Sequence, residues 1–399
     1  MKREEMRMLT PDEIDALTEQ AAKTTQTLNQ AIIRKIIERL VARLERGEDI
    51  YFTRTDYLQA QVLEDSGALY DEIIHEVAKY KIAELNEIHR AFQTGFVQSW
   101  NHDSDIYKKG GMQISRPSER YLEILQRNYE KTAGEFLNMT GTIAQDSTKL
   151  FRQTMSDAYM QTMTGAVSNT EAMKDAVNKL AGSNIKCVHY DSGRVDTIET
   201  ASLRAIRTGV AQTAGDISIK RMEEMGWDIV LVSAHFGARP DHMKWQGKFY
   251  SLHGKTPNLP DFVTSTDYGT VTGLCGANCK HHFGPGTLDF NPYENMNVNS
   301  EESKKRYELS QKQRAMERDI RRSKTKCLDL QAGMGAADTE QAKAALQTSY
   351  RAEAKRLTEK NAKYNAFCKD NNLKPYPERC YVAGWDRSQA AKASAAARK

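Results

Sequence analysis

Apolar residues recur every three or four positions along most of this chain, which is the spacing that places them on one face of an α-helix. The most regular stretch lies between residues 32 and 44 and contains Ile32, Ile33, Ile36, Ile37, Leu40, Val41 and Leu44. Thr10, Pro11 and the two acids that follow are typical of a helix start. We therefore predict a helix from Pro11 to Gly47, with the polar stretch 18–30 as a point of interruption.

The same periodicity predicts further helices over the first 182 residues. They are expected at residues 55–65, 68–100, 118–140, 147–164 and 169–181. Gly110, Gly111 and Pro117 mark a connection between two of them, because glycine and proline interrupt helices. Strand patterns are almost absent here, so residues 1–182 are predicted to form an extended helical arm that docks on an assembly partner.

After residue 182 the pattern changes to short apolar runs bounded by turn residues, which is typical of strands. Such runs occupy residues 185–190, 194–197, 228–233 and 248–251, and the first two are joined by a turn at 191–193. A helix from Glu199 to Met225 separates the second and third runs and ends at Gly226, a helix C-cap residue. Residues 183–295 are therefore predicted to form a small α+β module.

Helical periodicity returns after Glu301 and again between Thr339 and Asp370, which predicts a helical C-terminal region over residues 296–385. The alanine-rich tail, residues 386–399, has no acid after Asp386 and is predicted to be basic and disordered. The predicted fold is mainly α with a small central α+β module, an extended helical N-terminal arm and a helical C-terminal region.

The composition of the chain restricts the number of domains and the class of protein. A length of 399 residues exceeds what one hydrophobic core organises, so two or three domains are expected. Only 39% of the residues are hydrophobic, and the mean hydropathy is -0.67, which suits extended helical domains or a subunit completed by its partners. The net charge of +4, from 57 basic and 53 acidic residues, argues against a dedicated nucleic-acid-binding protein.

Three classes of protein are disfavoured by simple patterns. Apolar runs of about eighteen residues are absent, so we expect no membrane span. The basic residues at the start precede no apolar stretch, so we expect no signal peptide. Six irregularly spaced cysteines do not predict a disulfide framework and favour free thiols in a reducing cytoplasm.

The rarest side chains concentrate in two segments, 233–247 and 275–282, which hold four of the nine histidines and two of the six cysteines. Zinc takes four cysteine or histidine ligands in a tetrahedron, and one short loop rarely supplies all four. The second segment would need a more distant histidine, and His235, His242 and His253 are available. The predicted metal ligands, with zinc as the cofactor, are Cys275, Cys279, His281 and His242. The alternative is that both cysteines are buried apolar residues of a tight loop.

The first segment contains a second set of candidate residues: His235, Gly237, Arg239, Pro240, Asp241, Trp245, Gln246 and Gly247. Asp241 is expected to cap a short helix that places His242 and Trp245 on one face. Histidines beside an arginine and an aspartate could perform general acid–base chemistry, as in a nuclease. An activated nucleophile or carboxylate pair is not evident, so we favour a structural motif whose polar groups hydrogen-bond to one another around Trp245.

A third feature is the basic segment from Lys304 to Lys326, which has ten basic and three acidic residues. One interpretation is contact with DNA phosphates, and the other is a solvated face or a surface for an acidic protein. The candidate nucleic-acid contacts are Lys312, Arg314, Arg318, Arg321, Arg322 and Lys324.

Several motifs, in a fixed order, carry a resemblance to a known family. They are Tyr190–Arg194, Arg207–Thr213, Gly226–His235, Gly237–His242, Trp245–Lys248, Gly269, Gly273–His281 and Tyr307–Arg314. Together they resemble the phage minor capsid protein 2 family, within the wider group of phage Mu head-morphogenesis (MuF-like) proteins. Lys280 and His282 depart from the family, in which an arginine and a small polar residue are expected.

The resemblance implies a non-enzymatic virion protein inside the phage head near the portal, assembled in the host bacterial cytoplasm. The implied partners are the portal protein, capsid or scaffold proteins and packaged double-stranded DNA, with no membrane. It implies roles in procapsid assembly and in DNA packaging or ejection. The competing hypothesis is a nuclease-like or toxin-like enzyme that uses the cluster from His235 and His242 to Cys275 and His282.

Overall fold

A computed structural model describes residues 10–45, 55–114, 116–189, 193–298 and 300–398. The helices are α1 (Pro11–Glu45), α2 (Thr55–Lys109), α3 (Glu119–Met163), α4 (Asn169–Leu180), α5 (Ile198–Met225), α6 (Phe262–Thr266), α7 (Glu301–Ala336), α8 (Glu340–Asp370) and α9 (Arg387–Ala397). The strands are β1 (Lys186–His189), β2 (Val195–Thr197), β3 (Ile229–Val232), β4 (Phe249–Ser251) and β5 (Phe283–Pro285). The mainly α fold with a small α+β part is confirmed.

The chain divides into two compact units, and each is assembled from separated segments. The first unit contains the residues up to 22 together with 83–137 and 202–311. The second contains residues 23–82 and 138–201 and those from 312 onward. Helices α1, α2, α3, α5 and α7 contribute residues to both units. These boundaries differ from the linear division at residues 182, 295 and 385 that the sequence pattern predicts.

The first unit contains a three-stranded antiparallel sheet in the order β4–β3–β5. Val230 in the central strand lies opposite Tyr250 on one side and Pro285 on the other. Pro285 is tolerated because β5 is an edge strand, where a missing backbone donor costs little. Since β3 is antiparallel to both neighbours, its end lies beside the starts of β4 and β5. The loops 233–248 and 267–282 therefore meet at one end of the sheet.

The second unit is held by the aliphatic stripe of α1. Its seven members between Ile32 and Leu44 are all 0% exposed and belong to one continuous core with residues of α4, α7 and α8. The polar stretch before this stripe does not interrupt the helix, contrary to prediction. One reason is Asn29, whose Oδ1 accepts a hydrogen bond from the Ile185 N–H at 2.8 Å, so a polar residue anchors the start of β1.

Two predicted helix breaks are wrong. Residues 55–65 and 68–100 belong to the single helix α2, and the predicted helices 118–140 and 147–164 merge into the single helix α3, which begins at Glu119 and ends at Met163. A glycine such as Gly67 costs a long helix only about 1 kcal/mol relative to alanine. The adjacent turn is fixed by Asp65, whose carboxylate accepts a hydrogen bond from Arg43 Nε at 2.7 Å. Tertiary contacts therefore outweigh the local breaker.

The alanine-rich tail is helical over most of its length, contrary to the predicted disorder. Residues 387–397 form helix α9, and the Asp386 side chain caps it by accepting a hydrogen bond from the Gln389 N–H at 2.8 Å. Ala393 is 3% exposed, so one face of the helix is packed. The high helix propensity of alanine, together with this cap, explains the order. The predicted turn between β1 and β2 lies partly outside the described residues, at 190–192.

Candidate metal centre

The loop before β5 follows a tight path that few sequences can adopt. Asp267, Cys275 and Asn278 have φ angles of 52°, 58° and 59°, in the left-handed region that disfavours side chains. Gly273 is required by space, because a Cβ there would lie 1.9 Å from the Asp267 carbonyl oxygen. This path turns the chain back on itself and brings Cys279 beside the sheet.

Backbone pairing beyond β3 and β5 joins this loop to the segment that follows β3. The Ser233 N–H donates to the His282 carbonyl at 2.8 Å, and the His282 N–H donates to Ser233 Oγ at 2.9 Å. His281 is thereby fixed beside the segment that contains His235 and His242. The ring of His281 stacks on that of His235, with centroids 4.3 Å apart.

Three side chains that can ligate a metal ion converge at this point. Cys279 Sγ lies 3.8 Å from Nδ1 of His242 and 3.7 Å from Nδ1 of His281. The ligand atoms of all three residues lie within 4.8 Å of one another. His242 is 2% exposed, Cys279 4% and His281 1%, so the protein encloses the group.

Gln246 determines which nitrogen of His281 carries the proton. Its Oε1 accepts a hydrogen bond from the His235 N–H at 3.1 Å, which identifies this atom as the amide oxygen. The same Oε1 lies 3.0 Å from His281 Nε2. An amide oxygen only accepts, so Nε2 carries the hydrogen and Nδ1 presents a lone pair toward Cys279.

The backbone of Thr272 has the corresponding role for His242. Its carbonyl oxygen lies 3.0 Å from His242 Nε2 and is an acceptor for a hydrogen on that nitrogen, whereas Arg239 Nη2, which also contacts His242 Nε2, is a donor. Arg239 Nη2 donates to the same carbonyl at 2.7 Å. When the hydrogen of His242 is on Nε2, both histidines direct Nδ1 lone pairs at the same sulfur atom. Nothing in the sequence pattern singles out Thr272, because it acts through its backbone.

The enclosed position favours the neutral form of each group. Burial, with the neighbouring histidines and Arg239, holds the pKa of His281 well below its usual value, and burial also lowers the pKa of His242. Burial raises the pKa of the Cys279 thiol. Two neutral imidazoles beside a thiol are ready to bind a cation, since a metal ion supplies the charge that makes the thiolate favourable.

Cys275 and His282 are placed differently from these three residues. Cys275 is buried, but its thiol is directed at the His281 carbonyl oxygen, 3.7 Å away, and lies outside the group of three ligand atoms. The fully enclosed imidazole of His282 has its pKa lowered to about 4 by burial. The structure thus brings together three of the four predicted metal ligands.

The other predicted motif residues build the walls of this site. Trp245 is 2% exposed, and its ring lies 4.6 Å from that of His242 and 4.8 Å from that of His281. Gly237 and Gly247 have φ angles of 74° and 70°, which glycine adopts without strain. Residues 240–247 form consecutive turns rather than the predicted short helix.

Asp241 also differs from its predicted role. The first N–H groups of these turns, on His242 and Met243, donate to the Arg239 carbonyl rather than to a cap at Asp241. The Asp241 carboxylate lies 3.3 Å from Arg239 Nη2 and is 56% exposed. Pro240, between them, is exposed and bends the chain into the turn.

The predicted basic residues of α7 fall into two groups, those that contact the chain itself and those that are exposed. Arg321 donates to the Arg379 carbonyl at 2.7 Å, and Lys324 donates to the Cys380 carbonyl at 2.7 Å, so both hold the C-terminal segment. Arg314 is half-buried. The three remaining candidates are exposed: Lys312, Arg318 and Arg322.

Comparison with known proteins identifies the family to which this chain belongs. The model of the family described as phage minor capsid protein 2 matches residues 9–367 of the chain. The chain belongs to this family. It is also similar to a structural protein of Lactococcus phage LL-H, with 20% identity over 310 residues that cover 74% of this chain and 84% of the relative. No solved structure matches the chain.

Membership makes this minor capsid protein a structural component of the phage particle and confirms the resemblance drawn from the motifs. The matched range includes both loops of the candidate metal centre and most of α8. Within the described residues, no helix is both long enough and apolar enough to span a membrane.

Proposed function

We propose that this minor capsid protein lies inside the phage head near the portal. There it contributes to procapsid assembly and to DNA packaging or ejection, after synthesis in the host cytoplasm. Its partners are the portal protein and capsid or scaffold proteins. The proposal rests first on membership of a phage structural family. The observation that carries it further is how the long helices present apolar side chains to solvent.

Those exposed side chains support a helical docking surface. Among the described residues, twelve large apolar side chains are exposed, and six of them lie on α2 and α3, two in the first unit and four in the second: Val97 and Leu122, and Leu63, Ile82, Met160 and Met163. Met160 and Met163 are 63% and 46% exposed and three positions apart, so they share one face of α3. Apolar residues at this spacing are the usual anchors of a helix that packs on a helical partner, and methionine adapts to varied surfaces.

The burial of the metal-ligand cluster also favours a structural role over the nuclease-like or toxin-like alternative. A catalytic base must reach its substrate within hydrogen-bonding distance. His242 and His281 are 2% and 1% exposed and are hydrogen-bonded to groups of their own fold.

Packaged DNA is the second partner in the proposal. Lys312, Arg318 and Arg322 are exposed on α7, and Arg318 and Arg322 are four positions apart on one face. Three such cations support a weak, salt-sensitive contact with phosphates rather than a sequence-specific one.

Protease protection of whole particles tests the location. Virions of the phage that encodes the chain are digested before and after their DNA is released, and peptides of the chain are quantified by mass spectrometry. Protection in full particles, with digestion after opening, is the expected result. Digestion in full particles, where an internal control protein stays intact, would place the chain outside the head.

Substitutions on α3 test the docking surface. Met160→Glu with Met163→Glu should lower the number of copies that purify with procapsids. The matched control is Val271→Glu, which adds a charge at a residue that is 74% exposed in the first unit. An equal number of copies in both variants would show that α3 does not carry the contact.

A further inference from the structure

We propose that His242, Cys279 and His281 bind one Zn²⁺ ion, which joins the two loops at the end of β3. The proposal is independent of the location of the protein in the phage particle. It concerns the first unit alone, because all three residues lie within residues 202–311.

The spacing of the ligand atoms fits a tetrahedral zinc ion. With zinc–sulfur and zinc–nitrogen bonds of about 2.3 and 2.0 Å, a tetrahedral angle separates sulfur and nitrogen by roughly 3.5 Å. The two sulfur–nitrogen distances at Cys279 are 3.8 and 3.7 Å. The two sulfur–nitrogen pairs therefore already have nearly the required spacing, and the two histidine nitrogens, within 4.8 Å of each other, would close to about 3.3 Å around the ion.

The hydrogen bonds around the group prepare it for a cation. Metal-binding histidines commonly donate their second N–H to a carbonyl or carboxylate, which fixes the ring. Gln246 Oε1 accepts from His281 Nε2, and the Thr272 carbonyl oxygen lies 3.0 Å from His242 Nε2, where it can accept the second N–H of that ring. The His281 backbone N–H also donates to Cys279 Sγ at 3.4 Å, which stabilises negative charge on this sulfur.

The ligand types select zinc over the abundant hard cations. Calcium and magnesium require oxygen ligands, whereas a thiolate with two imidazoles suits a borderline-soft ion such as zinc. Binding replaces the S–H bond of Cys279 by a zinc–sulfur bond and releases the proton to solvent. Zinc is four-coordinate, so the proposal includes one water molecule beside the three protein ligands.

The position of the site indicates what the ion does. His242 lies on the loop between β3 and β4, and Cys279 and His281 lie on the loop before β5. The second loop contains Cys275 and Asn278 in the left-handed region, a conformation that costs free energy for residues other than glycine. Three metal bonds between the loops would compensate for this strain and make their arrangement depend on zinc.

Elemental analysis of the full chain, purified without an affinity tag that binds metal, is the first test. About one zinc per chain is expected for the wild type, and a loss of most of it for Cys279→Ser and for His242→Ala. His242→Cys supplies another zinc ligand and should retain the ion, which separates loss of a ligand from a failure to fold. Full zinc in Cys279→Ser, or none in a folded wild type, would overturn the proposal.

Cys275→Ser is the matched control, because Cys275 is buried in the same loop and its thiol is directed at the His281 carbonyl. Zinc should be retained in this variant, and an equal loss would refute the assignment of the three ligands. Cobalt substitution gives a second measurement. The thiolate-to-cobalt absorption band should persist in Cys275→Ser and disappear in Cys279→Ser, and the reverse would exchange the roles of the two cysteines.

Chelation measures the structural role. Removal of zinc should lower the melting temperature of the wild type and leave that of Cys279→Ser unchanged, because a ligand stabilises only the state that binds it. Stoichiometric copper or iron in place of zinc would overturn the choice of metal. A wild-type melting temperature that chelation does not change would overturn the role as a clasp between the loops.

Discussion

Asp329, buried in the second unit, should make the stability of this protein fall as the pH rises. Its side chain is 0% exposed, accepts a hydrogen bond from the Gly182 N–H at 2.9 Å, and lies 4.0 Å from Arg34 Nε. Burial raises the pKa of this carboxyl from 3.8 to about 7, although the hydrogen bond and the arginine both act in the opposite direction. Between these two values the folded chain holds a proton that the unfolded chain releases.

The sign and the size of the effect follow from proton linkage. A state that binds more protons is destabilised as the pH rises, so stability is lost as the pH increases from 3.8 through about 7. A shift of about three pKa units corresponds to roughly 4 kcal/mol of unfolding free energy in all. Roughly 3 kcal/mol of this is expected between about pH 5 and pH 8.

Asp329→Asn removes this dependence while keeping the volume and the acceptor for Gly182. For a unit of about 200 residues, 3 kcal/mol corresponds to about 5–10 °C in melting temperature. The wild type should lose that much relative to the variant between pH 5 and pH 8, as followed by circular dichroism. Asp319→Asn, an exposed change on the same helix, should follow the wild type. Parallel profiles for the wild type and Asp329→Asn would refute the reasoning.

Two further predictions concern one residue of the first unit and the exposed cations of α7. Burial opposes ionisation of Asp228, but hydrogen bonds from Ser251, Thr256 and His253 outweigh it and lower its pKa from 3.8 to about 2. Asp228→Asn should therefore lower the free energy of unfolding in urea by roughly 2–3 kcal/mol at neutral pH. This difference between the wild type and the variant should disappear as the pH falls from 3.8 through about 2. An equal difference at all pH values would contradict the prediction. Removing the charges of Lys312, Arg318 and Arg322 should weaken binding to duplex DNA and flatten its dependence on salt, measured by fluorescence anisotropy. The control removes three exposed cations of α8: Arg351, Lys355 and Lys363. Equal weakening of DNA binding in this control would refute a specific contact by α7.

The periodicity of apolar residues predicts most of this fold because burial imposes it directly. The stripe from Ile32 to Leu44 is fully buried, and four of the five strands in the described part of the chain occur where short apolar runs predict them. Strand β5 escapes this reasoning, since Phe283, Gly284 and Pro285 contain two residues that normally end strands. Its formation depends on pairing with β3, which a local pattern does not reveal.

Helix breaks were overpredicted for a related reason. Polar residues and glycines within long helices predict interruptions, but Asn29 and Asp65 make tertiary contacts that the helix needs. Local propensity differences of about 1 kcal/mol are small beside such contacts. In the alanine-rich tail the basic charge suggests disorder, but the high helix propensity of alanine decides the structure.

For the candidate site, the sequence predicts which residue types could bind a metal, but it does not predict which of those residues converge. Rare histidines and cysteines indicated where ligands lie, whereas the backbone decides which of them converge. Cys275, with its φ of 58°, directs its thiol at a carbonyl, while Cys279 meets both histidines. The Thr272 carbonyl, which orients His242, has no side-chain signal in the sequence.

Cross-linking mass spectrometry on procapsids tests the proposed position inside the head beside the portal. We expect cross-links between lysines of this chain and the portal protein, with those nearest Met160 on α3 among them, and we expect their loss when Met160 and Met163 carry charge. Cross-links only to proteins of the outer surface, with none to the portal, capsid or scaffold, would contradict it.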